Sequence, residues 1–97
     1  MSDNRCLEQP PIAQSDLRAI EVLSVWAAPD GTQQFVLRTN WDDPGTWGML
    51  LVDAARHVAN AYVNEGMDRS IALNRIRQFW DVEFDSPTDQ PEQIFQN

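Results

Sequence analysis

The sequence predicts an α+β fold in which a two-stranded antiparallel hairpin is followed by two antiparallel helices packed on one of its faces (ββαα). Residues 19–28 and 33–41 are rich in β-branched and aromatic side chains and flank an Asp-Gly pair, a strong hairpin signal. Residues 43–65 and 68–85 then carry apolar side chains three and four positions apart, as amphipathic helices do. Such helices must bury their apolar stripes, so we expect them to cover the hairpin.

The register of the hairpin depends on the length of its loop. A two-residue loop at Asp30 and Gly31 would place Trp26 opposite Phe35. Alternate residues of a strand share a face, and the predicted core face collects Ile20, Val22, Ser24, Trp26, Phe35, Leu37, Thr39 and Trp41. The opposite face is mixed, with an apolar centre formed by Leu23, Val25 and Val36.

Both helices have recognisable ends. Asp43 is expected to cap the first helix, because its carboxylate can accept hydrogen bonds from free amides of the first turn. Pro44 then occupies the first helical position, where no amide donor is needed. Gly66 is a stop signal for this helix. Asp68 can cap the second helix, which is expected to end before Pro87.

The two ends of the chain differ in composition from its middle. Residues 1–16 and 87–97 are mostly polar and contain several prolines, and such segments bury too little apolar surface to offset the cost of ordering. We therefore expect a flexible N-terminal arm, a single domain over residues 17–86 and a flexible C-terminal tail. Whether Ile94 and Phe95 dock on the domain or fray is left open by the sequence.

The charge and the cysteine content exclude several classes of function. With a net charge of −8, the surface would repel phosphate backbones and anionic membranes, so no nucleic-acid or membrane partner is expected. Cys6 is the only cysteine, so an internal disulfide is impossible. The sequence shows neither a signal peptide nor an apolar run of membrane-spanning length. These observations predict a cytoplasmic protein.

Candidate site residues are few. Trp41, Trp47, Asp53 and His57 could line a ligand pocket, although a helical Asp-His pair is more often exposed and tryptophans more often fill a core. Two ligands are too few for a typical metal site, and residues 42–43 are explained by capping and turn formation. No nucleophile motif or phosphate loop is present. The sequence therefore predicts no catalytic residue, no metal and no cofactor.

Two short motifs carry a resemblance to a known family. They are WDDPGTWG at residues 41–48 and ARHVA at residues 55–59. With these motifs, residues 15–90 resemble the bacterial domain of unknown function 5076 family. The resemblance implies a compact α+β domain. It implies no activity, substrate, cofactor or functional residue.

A foldable part of about 70 residues is near the size at which a single core becomes marginal. We therefore predict a small interaction or regulatory module, more an interaction protein than an enzyme, that forms a homodimer and has a further protein partner still to be identified. Two copies would either stack the faces that contain Leu23, Val25 and Val36 or pair their strand edges and so extend the sheet. The alternative is a small-molecule-binding protein or minor enzyme with a pocket between the Trp41/Trp47 turn and the second helix.

Overall fold

One turn of helix, two strands, two long helices and a third strand follow one another along the chain. The structure, a computed structural model, describes residues 4–86 and the backbone of residues 92–95. The elements are α1 (Ile12–Ser15), β1 (Leu23–Ala27), β2 (Gln33–Leu37), α2 (Gly45–Asn64), α3 (Arg69–Asp85) and β3 (Glu92–Phe95). The α+β class and the predicted order of hairpin, helix and helix are confirmed.

The third strand lies in the segment that the sequence predicts as a flexible tail. Glu92–Phe95 pairs in parallel with β2, so β2 is the central strand of the order β1-β2-β3. The expectation of a flexible tail is therefore wrong for these four residues. A strand at a sheet edge needs only the main-chain groups of its neighbour as partners, and a polar composition does not exclude that. The rest of the predicted tail, residues 87–91 and 96–97, lies outside the described residues.

The hairpin loop has three residues, 29–31, instead of the predicted two. The amide of Ala28 donates to the carbonyl of Thr32 over 2.8 Å, and the amide of Gly31 donates to the carbonyl of Ala28 over 2.9 Å. Gly31 has a φ of 93°, which glycine adopts without steric cost. This is the tight turn followed by a left-handed residue that is common in three-residue hairpin loops.

The longer loop shifts the pairing of the strands by one residue. Val25 lies opposite Phe35, and Trp26 lies opposite Gln34, so the predicted register is wrong. The apolar sheet face, as we name it, consists of Leu23, Val25, Phe35 and Leu37. The mixed sheet face consists of Ser24, Trp26, Gln34 and Val36. The predicted dimer-interface residues are thereby divided between two faces, because a slip of one residue changes every cross-strand neighbour.

The predicted helix caps are confirmed. Asp43 Oδ1 accepts a hydrogen bond from the amide of Gly45 over 2.8 Å, and Pro44 already has helical dihedral angles. At the start of α3, Asp68 Oδ1 accepts from the amides of Ser70 and Ile71 at 2.9 and 3.2 Å. These bonds satisfy amides that a helix start otherwise leaves without partners.

Gly66 ends α2 as predicted. The amide of Gly66 donates to the carbonyl of Val63, and the amide of Met67 donates to that of Tyr62, each over 3.0 Å. With a φ of 98° at Gly66, these two bonds form a Schellman motif. The chain then reverses into α3, where Arg69 Nε donates to Asn60 Oδ1 over 2.9 Å.

The two long helices approach each other more closely than they approach the strands. α2 and α3 pack together, and each buries one alanine, Ala59 at 0% and Ala72 at 3% exposure. Within the described residues, no helix Cα atom lies within 8 Å of a strand Cα atom. On the apolar sheet face, Val25 is exposed, while Leu23, Phe35 and Leu37 are half-buried within one chain. None of the helices in residues 4–86 is long and apolar enough to cross a membrane.

We expect Gly66→Ala to lower the free energy of unfolding by about 1 kcal/mol, because an alanine in the left-handed region is strained by about 1–2 kcal/mol. Gly48→Ala is the matched control. A Cβ atom at either glycine would meet no atom within 4 Å, but only Gly66 has a positive φ. The control should gain about 0.5–1 kcal/mol from helix propensity. Urea denaturation measures both, and equal losses would contradict the backbone explanation.

We also expect Asp68 to make stability depend on acid pH. Hydrogen bonds from the Ser70 side chain and from the amides of Ile71 and Ser70 lower the pKa of Asp68 below its usual 3.8. The ionised cap therefore stabilises the fold above the unfolded pKa, and this contribution is lost as the pH falls through the folded pKa. Asp68→Asn keeps a side-chain oxygen that can accept these hydrogen bonds, but it removes the carboxyl group that titrates. The gap between the urea midpoints of wild type and variant should close as the pH falls through the folded pKa of Asp68, and a constant gap would contradict this.

Candidate functional site

The link between sheet and helices, residues 38–44, is organised around one carbonyl. The carbonyl oxygen of Thr39 accepts from the amide of Trp41 at 2.7 Å and from Trp47 Nε1 at 2.8 Å. The rings of Trp41 and Trp47 meet edge to face, with centroids 5.7 Å apart and planes at 75°. The indole of α2 is thereby tied to the chain leaving β2.

Asn40 lies between the two partners of this turn and is backbone-strained. Its φ of 64° makes it the only residue other than glycine with a positive φ among those described. The hydrogen bond from the Trp41 amide to the Thr39 carbonyl closes a turn of only three residues, a γ-turn. A γ-turn with a positive φ at its central residue is rare. Asparagine tolerates positive φ better than most residues do. Such strain persists where the surroundings over-determine the conformation, and here the two tryptophans do so.

An open cleft of about 310 Å³ lies beside this turn. Its volume is at the lower end of the range for small-molecule pockets, about 300–1,000 Å³. The lining residues are Ile20, Arg38, Thr39, Asn40, Trp41 and Asp42. The cleft therefore offers one aromatic edge, one guanidinium, one carboxylate and one amide to a ligand.

Only one of the four predicted ligand-binding residues lines the cleft. Trp41 does, and Trp47 contacts it through the ring pair. Asp53 and His57 are exposed on α2, outside the lining, and neither hydrogen-bonds the other in the part of the chain that the structure describes. No α3 residue lines the cleft either. The described ranges contain no group of three or more His, Cys, Asp or Glu side chains able to hold a metal ion.

Sequence reasoning missed Arg38 and Asn40 as lining residues. The predicted register assigned both to the outer face of the strand. Their position in the sequence could have indicated this role, because they come just before the Trp-Asp-Asp-Pro-Gly run, where a chain that leaves a strand must turn.

A family model for a domain of unknown function (DUF5076) matches residues 6–88. The chain belongs to this family. The match includes both motifs, at residues 41–48 and 55–59, so the resemblance inferred from them is confirmed. It also begins within the predicted N-terminal arm, which makes part of that arm a component of the family domain.

A solved structure is similar to the chain along its whole length. It is described as "Structure of a putative pyruvate dehydrogenase from the photosynthetic bacterium Rhodopseudomonas palustrus CGA009". The two chains are 32% identical, with a TM-score of 0.76 and coverage of 100% of each. None of the curated proteins matches this chain.

We expect Trp47→Phe to destabilise the fold by about 0.5–1.5 kcal/mol, the usual net value of one hydrogen bond, because phenylalanine keeps a ring but loses the donor to Thr39. Trp41→Phe is the control from the same aromatic pair, since its indole nitrogen makes no hydrogen bond in the described structure. Near-ultraviolet circular dichroism and urea midpoints compare the two. A larger loss for Trp41→Phe would show that ring contact, not the hydrogen bond, dominates.

Proposed function

We propose that this protein is a small interaction module that acts as a homodimer. The observation that carries the proposal is the burial pattern. Ala59 and Ala72 are the only buried apolar residues in the described part of the chain, and no large side chain is fully buried. Three of the four tryptophans predicted to fill a core are exposed by more than a third, namely Trp26, Trp41 and Trp80.

The exposed surface is large for the size of the chain. It amounts to 8721 Å², whereas a compact protein of this mass exposes about 5,700 Å². The radius of gyration of 15.3 Å also exceeds the value of about 12.5 Å expected for this length. A third of the excess area would supply the roughly 800 Å² per partner of a standard interface. Segment 4–22 is mostly exposed and accounts for part of the excess area. The remaining excess area is enough for such an interface.

A second copy is the partner that these features favour. Symmetric pairs are the commonest assemblies, and fully burying one large apolar side chain is worth about 1.5–3 kcal/mol. The net charge of −8 keeps the remaining surface soluble and favours a basic surface on any further protein partner. The alternative, a ligand-binding protein, has weaker support because the cleft is open and only Trp41 of the predicted residues lines it.

We expect the wild type to sediment as a dimer at micromolar concentration and Trp80→Lys to remain folded but associate more weakly. Asn74→Lys is the matched control, because it adds the same charge to an exposed position of α3 about 120° around the helix from Trp80. It should leave the sedimentation coefficient unchanged. A wild type that is monomeric across the micromolar range would overturn the proposal.

A further inference from the structure

We infer that, in the dimer, the helical hairpin of each chain packs on the apolar sheet face of the other chain. The inference rests on the proposed homodimer and specifies its geometry. Its starting point is that sheet and helices are two incomplete layers. A small sheet is stable only with a helix or further strands against its apolar face, yet no strand Cα approaches a helix Cα within 8 Å in the described residues of one chain.

The apolar sheet face is the better partner of the two faces. Its cross-strand pairs are Leu23 with Leu37 and Val25 with Phe35, so four apolar side chains are adjacent; Val25 is 47% exposed, and the other three are half-buried. The mixed sheet face interposes polar side chains between Trp26 and Val36. The guanidinium of Arg5, from the N-terminal arm, lies 6.0 Å from the Trp26 ring centroid. The arm therefore approaches the mixed face.

On the helices, Trp80 and Phe84 form the surface that fits this face. Their rings stack with centroids 6.2 Å apart and planes at 22°, and they are 44% and 76% exposed. Phe79, in contrast, carries the Arg75 guanidinium 4.4 Å from its ring centroid. The Phe79 ring is thus already covered by a cation, whereas no cation lies over the Trp80 or Phe84 ring among the described residues.

The link explains why the covering sheet belongs to the partner. The contacts of Thr39 with Trp41 and Trp47 fix the direction in which α2 leaves β2, and with it the position of α3. In that direction the helices of one chain do not reach its own sheet. A two-fold axis places the helical hairpin of each chain on the sheet of the other chain. The dimer then contains two equivalent helix-on-sheet contacts, and each of them covers one sheet and one helical hairpin. Exchange of equivalent elements between copies is a known low-cost route to such dimers.

Complementation between two variants tests the exchange. Val25→Glu disrupts the sheet surface, and Trp80→Lys disrupts the helix surface. Each variant alone should be monomeric at concentrations where the wild type is dimeric. Mixed in equal amounts, they should form dimers, because one of the two helix-on-sheet contacts in a mixed dimer then has only wild-type residues. A mass tag on one variant allows native mass spectrometry to identify the mixed species. Circular dichroism confirms that each variant is folded.

The outcomes separate the possible arrangements. If Val25→Glu alone remains dimeric, the interface joins helix to helix. If Trp80→Lys alone remains dimeric, it joins sheet to sheet. If the mixture stays monomeric, the contacts are not exchanged. Each of these three results overturns the inference while leaving the homodimer intact. A monomeric wild type overturns the homodimer itself.

A second measurement applies if either variant fails to fold. In a Cys6→Ser background, one chain carries Ala27→Cys at the end of β1, and the other carries Arg77→Cys, two turns before Phe84. A short bis-maleimide should join these two chains. With Asn74→Cys in place of Arg77→Cys, the yield should fall at least fivefold. Equal yields would overturn the inference, since they would show that α3 approaches the sheet with no preferred side.

Discussion

The arrangement of the two layers depends on the carbonyl oxygen of Thr39. It accepts hydrogen bonds from the Trp41 amide and from the Trp47 indole at 2.7 and 2.8 Å, and it thereby ties the chain leaving the sheet to the first turn of α2. Asn40, at a φ of 64°, takes up the strain of the turn between them. The direction of both helices relative to the sheet follows from these few atoms.

The energies involved are modest. One hydrogen bond contributes about 1 kcal/mol net, and an edge-to-face ring pair adds about 0.5–1.5 kcal/mol. Covering a single exposed side chain such as Trp80 is worth as much or more. The link therefore fixes a direction, whereas the larger part of the stabilisation available to this chain is still exposed on its surface. This imbalance is the physical reason to expect a second copy.

The family relationship agrees with this description. The family domain spans residues 6–88, so it includes most of the N-terminal segment, while Arg5 lies just before it and β3 follows it. A relative that is 32% identical has the same fold along its whole length. The α+β domain that the sequence resemblance implies is thus a family fold, and this chain exposes much of its apolar surface.

The sequence by itself determined the local structure. The caps at Asp43 and Asp68 and the stop at Gly66 are formed as predicted, because each depends only on a side chain or a backbone preference within three residues. The order of strands and long helices follows from apolar spacing for the same reason. The pairing of Trp41 with Trp47, six residues apart around a Pro-Gly turn, was also within reach of sequence reasoning.

The tertiary structure alone decided the register, the third strand and the exposure of the apolar residues. One extra loop residue placed Val25, instead of the predicted Trp26, opposite Phe35, and two-residue and three-residue Asp-Gly loops share the same sequence signal. β3 forms through main-chain bonds to a neighbour distant in sequence, for which composition carries no information. Apolar spacing located α3, but such spacing states only that a helix needs cover. Which surface supplies that cover depends on the direction set at Thr39, a contact between parts of the chain that no periodicity encodes.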